Sequence, residues 1–189
     1  LFAGDVYRRA LSQICGDLVN EMVECGAVRE RLGPREDGQY PPPDSNDSYG
    51  TSEAPVIQRN GDPACDMLYT IAFGLLGLHE AAAATGDSEI RRAEDRLAEF
   101  VVRVQVESET HPYLDGAWLR AFDFDTWEYW GSSADEGWGA WCVETGWCNA
   151  WLNAVLSLRR SGRSLWEHVV DGDLSSRAAE INGEMLEKS

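Results

Sequence analysis

Basic residues are scarce in this chain. Sixteen Lys and Arg face 33 Asp and Glu, a formal net charge of −17. A field of that sign repels phosphate backbones and anionic lipid surfaces over long range, so neither nucleic acid nor a membrane is expected as a partner. Histidine is scarcer still: His79, His111 and His168 stand apart without ligand spacing, and no metal or other cofactor is expected. The 5 cysteines, Cys15, Cys25, Cys65, Cys142 and Cys148, are odd in number and contain no CxxC pair. That pattern favours buried free thiols in a reducing, cytoplasm-like compartment over a disulfide framework. No apolar run approaches the roughly 20 residues of a membrane span, which predicts a soluble chain. A signal peptide is also missing, but the chain opens at Leu1 instead of Met, so it reads as the end of a longer protein.

Apolar and aromatic residues, by contrast, are plentiful. At 43% hydrophobic and 10% aromatic, 189 residues suffice for one domain with a substantial core and argue against disorder. The tryptophans are concentrated in one place. Trp118, Trp127, Trp130, Trp138, Trp141, Trp147 and Trp151 all fall within residues 113–151, interleaved with Asp115, Asp123, Asp125, Glu128, Asp135, Glu136 and Glu144. Ring faces stack on the apolar C–H face of a pyranose, and carboxylates bind its hydroxyls or move protons at a glycosidic oxygen. Tryptophan is also the largest core filler, so about half of these rings are expected simply to pack.

Apolar residues at three- and four-residue steps predict a sequence of helices. The first covers about 5–31 and is stopped by Gly33-Pro34. A polar stretch over 35–61, with Pro41, Pro42 and Pro43, reads as a linker or a functional lid. Asp62-Pro63 looks like a capped helix start, and that helix runs to Thr85. Gly86 closes it, and Asp87 or Ser88 caps the next, whose apolar face is Ile90, Ala93, Leu97, Phe100, Val101 and Val104. Further helical pattern covers about 144–161, a short turn at 165–169, and 174–186.

The fold class is therefore expected to be all-α, built of antiparallel helical hairpins in one domain. So short a link at Gly86 forces its two helices antiparallel. Following the directions from there, the long loops 35–61 and 109–143 gather at one end, and the turns at Gly86 and Gly162 lie at the other. Helix N-termini at Asp62 and Glu144 point into the long-loop end and favour anions there.

With hairpins in place, the elements WxxxxDxDxWEYW, WGxW and ExGW, over roughly 62–166, resemble the C-terminal part of the six-hairpin glycosidases. The likeness is closest to bacterial glycoside hydrolases acting on uronic-acid-containing or related glycans. It implies an (α/α) toroid with its site on the long-loop end, hydrolysing a carbohydrate substrate with a carboxylate pair. A complete toroid has more helices than this sequence predicts, so the chain is expected to be its C-terminal portion.

Individual residues carry alternatives. Asp123, with Asp125, is a catalytic pair or a calcium site only if a turn lets alternate residues converge, and otherwise a solvated loop carboxylate. Asp135, beside Glu136 and flanked by glycine, sits where a ligand can approach backbone. Glu144 is either a catalytic acid tuned by surrounding tryptophans or a helix cap. Trp118, Trp127, Trp130, Trp138 and Trp141 are candidate stacking rings. Arg59, His111 and Arg120 are candidates to bind a substrate carboxylate, although Arg120 is equally placed to pair with Asp123. In hydrolysis one carboxyl protonates the leaving oxygen while the other activates water or attacks the sugar. The competing functions are a polysaccharide lyase with Tyr129, Tyr113 or His111 as base, a noncatalytic glycan-binding domain, and a terpenoid-type toroid faintly echoed by DFDTW.

Overall fold

Gly86 and Asp87 set the central hairpin. The computed structural model describes residues 4–29, 63–129, 147–170 and 177–178. Helix α2, Ala72–Thr85, ends where Gly86 turns left-handed at φ 70 and donates its N–H to the Ala82 carbonyl. Helix α3, Ser88–Arg103, begins one residue later with the Asp87 carboxylate accepting from the Glu89 amide at 2.8 Å. The apolar faces expected from the sequence meet there. Ile71, Leu75 and Leu78 are sealed against Leu97, Phe100 and Val101, with Leu152 and Val155 of helix α4, Trp147–Ser161, completing the core.

The entry to α2 differs from the expectation. Instead of starting a helix, the residues after Pro63 form strand β1, Ala64–Asp66, and a π-helical turn, Met67–Ile71, leads from it into α2. Asp66, not Asp62, is the cap: its carboxylate accepts from the Leu68 amide at 2.7 Å and the Tyr69 amide at 3.0 Å. Strand pairing overrides the proline-first helix signal. β1 is antiparallel to β2, Ala121–Asp123, in the register Cys65 to Phe122, and β2 pairs in turn with β3, Glu128–Tyr129. The fold is accordingly mostly helical with a small three-stranded sheet, order β1-β2-β3, and not purely α.

Helix α1, Asp5–Asn20, is also shorter than predicted. Residues past it fold into a tight turn closed by an antiparallel bridge between Met22 and Val28. Gly26 is pressed onto α3 at φ 95, where a Cβ would meet the Arg96 carbonyl oxygen at 2.4 Å. Only glycine fits such an approach. Arg96 reinforces the contact by donating to the Val23 and Glu24 carbonyls at 2.9 and 3.3 Å.

The two ends of the hairpin carry different chemistry. At the β1 end, Trp118 is fully enclosed and donates its indole N–H to the Val101 carbonyl at 2.7 Å, while Asn149 at the start of α4 accepts from the Trp118 amide. At the other end a charged cluster ties three helices. Glu94 of α3, 0% exposed, accepts from His79 of α2 at 2.7 Å, from Arg91 at 2.6 Å, and from Arg159 of α4. The second ring nitrogen of His79 meets the Arg163 carbonyl at 2.9 Å, just past α4. Gly86 and Gly162 thus lie away from β1, as the direction count requires; residues 35–61, Trp130 and residues 131–146 lie outside the described ones, as does nearly all of the helix expected over 174–186. Helix α5, Leu165–Val170, follows with no buried residue.

One further expectation is corrected. The combined helical run Met67–Thr85 is long and apolar enough to cross a membrane by length and composition, with mean hydropathy 1.3. Half of it is buried inside the protein, and it serves here as the core helix between α3 and α4.

Candidate functional site

The hairpin between β2 and β3 positions the aromatic segment. At its base, the Asp123 carboxylate turns back to accept from the Asp125 and Thr126 amides at 2.9 and 3.0 Å. This is the self-capping turn that aspartate favours. Asp123 is therefore a buried turn former, not a solvated carboxylate, and the exposed Asp125 does not share its role. The turn ends at Trp127, with φ 61 the only non-glycine residue at positive φ among the described ones. A left-handed backbone costs about 1–2 kcal/mol for such a residue. Its ring packs edge-on against Phe122 at 5.2 Å and Phe100 at 6.1 Å, and the Arg103 guanidinium stands 4.7 Å over it. The side chain is fixed and yet 40% exposed.

Trp127 borders an open depression of about 490 Å³ lined also by Val23, Glu24, Cys25, Arg29, Arg103, Phe124 and Asp125. The walls come from three segments: the Gly26 turn, the end of α3 and the hairpin tip. Arg29 lies 5.7 Å over the Phe124 ring. An aromatic edge, two guanidiniums and two carboxylates converge, a set suited to a polar ligand with one apolar face.

No family model matches the chain, and no curated protein or solved structure matches it. The geometry therefore carries the functional reading.

Of the residues singled out from sequence, Trp127 and Asp125 meet at the depression. Trp118 does not: fully buried and hydrogen-bonded, it is core. Arg120 pairs across the sheet with Asp66, Nε to Oδ2 at 3.3 Å, and not with Asp123. Both groups are buried, and burial pushes the Asp66 carboxyl up, against the opposing pull of the Arg120 charge and the Leu68 and Tyr69 amides. His111 sits on an exposed loop, its Nδ1 3.2 Å from the Tyr113 hydroxyl, and lines none of the depression. Asp135, Glu144, Arg59, Trp130, Trp138 and Trp141 lie outside the described residues. Arg29, Arg103 and Glu24 were not anticipated. Arg29 and Glu24 fall inside what the sequence reads as a helix, and nothing in the pattern places them beside a hairpin a hundred residues later.

Other nucleophiles and bases are quieter. Burial pushes the Cys15 and Cys148 thiols up, which keeps them protonated and unreactive. Burial likewise pushes the Tyr129 phenol up, and its hydroxyl donates to the Val104 carbonyl at 2.5 Å. That arrangement counts against Tyr129 as a lyase base. Two more hollows exist among the described residues. One, about 430 Å³, is an apolar cleft between α1 and α2 near Ile14, Leu18, Tyr69 and Phe73. The other, about 340 Å³, lies beside His79, Arg91, Arg159 and Arg163, whose polar groups are engaged with the Glu94 cluster and neighbouring backbone.

Proposed function

We propose that this chain recognises carbohydrate at the Trp127 depression and belongs to a glycoside-hydrolysing protein of the six-hairpin type. The carrying observation is Trp127 itself. A strained backbone persists only where its surroundings enforce it, and such outliers concentrate at ligand sites. Here the strain holds a large ring at a rim instead of in the core, beside side chains able to bind hydroxyls. A volume of about 490 Å³ is that of a small-ligand site.

Binding is the part of the activity to which the described residues contribute. Glu24 and Asp125 are both exposed, whereas an acid catalyst works in dry, apolar surroundings. The catalytic pair is better sought at Asp135 and Glu144, on the sequence pattern that nominated them, with Asp123 shaping the hairpin between strand and turn. In that scheme the resemblance to a toroid supplies the architecture, and the depression supplies one sugar subsite.

Calorimetric titration with a panel of neutral and acidic oligosaccharides tests the reading. Trp127→Ala should weaken binding by about 1–3 kcal/mol, as for other aromatic stacking platforms, with turnover of the bound fraction little changed. Glu144→Gln and Asp135→Asn should abolish turnover and leave binding nearly intact. Binding that is indifferent to Trp127, or no binding anywhere in the panel, would remove the proposal.

A further inference from the structure

We infer that Arg29 and Arg103 form an oxyanion clasp in the depression, so that the ligand group selected there carries a carboxylate or a sulfate. The sugar class of that ligand rests on the function proposed above; the clasp itself rests on the arginines.

Acids outnumber bases by 33 to 16 in this chain, and several of its arginines take a carboxylate partner. Arg91 and Arg159 pair with Glu94, Arg92 with Glu89, and Arg120 with Asp66. Arg29 and Arg103 make no ion pair among the described residues, although Glu24 and Asp125 line the same depression. Each instead lies against a ring of the hairpin tip, Phe124 or Trp127. A guanidinium stacked on a ring keeps its in-plane donors available, and that planar fork matches the two oxygens of a carboxylate or sulfate.

A second observation points the same way. The Nε of Arg29 is buried and has no hydrogen-bond partner among the described residues. Buried donors are nearly always satisfied, and an exception asks for a missing partner. An oxyanion approaching side-on takes Nε and one Nη together. Reaching Nε requires the Arg29 guanidinium to turn from its place over Phe124, and no ion pair among the described residues opposes that turn. Attraction must be local: the −17 charge of the whole chain repels anions at a distance.

The test titrates the whole chain with trigalacturonate, a sulfated trisaccharide, neutral maltotriose and sodium sulfate alone. It compares wild type with Arg29→Lys, Arg103→Gln and the distant Arg92→Gln. The clasp predicts that an acidic trisaccharide binds about tenfold tighter than the neutral one, and that Arg29→Lys, which keeps the charge and loses the fork, abolishes that preference. The carboxylated and sulfated arms identify which oxyanion is preferred. If both clasp variants keep the acidic preference, the clasp is overturned, while neutral binding that still depends on Trp127 leaves the sugar reading standing. If sulfate binds and is lost with Arg29→Lys while no sugar binds, the clasp stands and the sugar reading fails. Equal weakening by Arg92→Gln would mean diffuse attraction and would overturn the clasp. Should Arg29→Lys melt early, Arg103→Gln decides, since Arg103 lies on the exposed side of α3.

Discussion

Glu94→Gln isolates what the charged cluster contributes to stability. The carboxylate is 0% exposed and serves the side chains of His79, Arg91 and Arg159, so the substitution keeps the shape and removes the carboxylate. The three partners do not suffer equally. Arg91, whose side chain is 45% exposed, swings into water, and its share is at most about 1 kcal/mol. Arg159, 21% exposed, keeps Asp95 at 2.8 Å. His79, 3% exposed, keeps the Arg163 carbonyl and must share with the arginines the one oxygen left at position 94. Breaking a buried pair by removing one partner costs about 3–5 kcal/mol, and the relief open to Arg91 and Arg159 sets the expectation at the lower end, about 3 kcal/mol. Urea unfolding followed by tryptophan fluorescence measures it. With 8 tryptophans contributing to the signal, the midpoint and slope of the cooperative transition, and not the amplitude, give the stability change. A loss under about 1 kcal/mol for Glu94→Gln, or an Arg91→Ala variant as unstable as it, would refute the reasoning.

Gly26→Ala adds a Cβ 2.4 Å from a backbone oxygen at φ 95; it should destabilise by well over about 1 kcal/mol and weaken ligand binding together, whereas unchanged binding would show that the turn does not shape the depression. Asp66 gives a pH signature. Its folded carboxyl is raised above the ordinary 3.8 by burial, so its stabilising contribution is complete below that value and is lost as pH rises through the raised folded value. Urea midpoints across the acid range should show this slope and lose it in Asp66→Asn; parallel curves would contradict it. Cys15 and Cys148 should react with a thiol reagent far more slowly in the native protein than in urea, and equal rates would mean they are not enclosed.

What the sequence made legible is local. Gly86 and Asp87 punctuate the α2–α3 turn by their own backbone and side-chain chemistry, and Ile90, Ala93, Leu97, Phe100, Val101 and Val104 are all buried as their spacing predicts. The sheet was not legible, because strands of three and two residues are too short to show alternation, and β1 finds its partner 57 residues away. The same long-range pairing moved the cap from Asp62 to Asp66 and drew Arg120 to Asp66. Composition also cannot tell which way a ring faces: Trp118 and Trp127 stand nine residues apart in one aromatic stretch, yet one is core and the other rim. The core helix does not read as an unbroken apolar run because Gly74, Gly77, His79 and Glu80 interrupt it.

The contact of Gly26 with α3 has a kinetic side. Of the residues in α1, only Cys15 is buried, so this helix belongs to the part of the molecule that opens at low free energy. The turn that follows it is fastened separately, by the close approach to the Arg96 carbonyl and by the Arg96 guanidinium on the Val23 and Glu24 carbonyls. Amide protons of α1 are therefore free to exchange with solvent through local fraying while those of Val23 and Gly26, held within the turn by the Ala27 and Val23 carbonyls, stay protected on the timescale of α3. One wall of the depression is thereby fastened to α3 independently of the helix that precedes it in the chain, and Arg29 follows directly on that fastened turn.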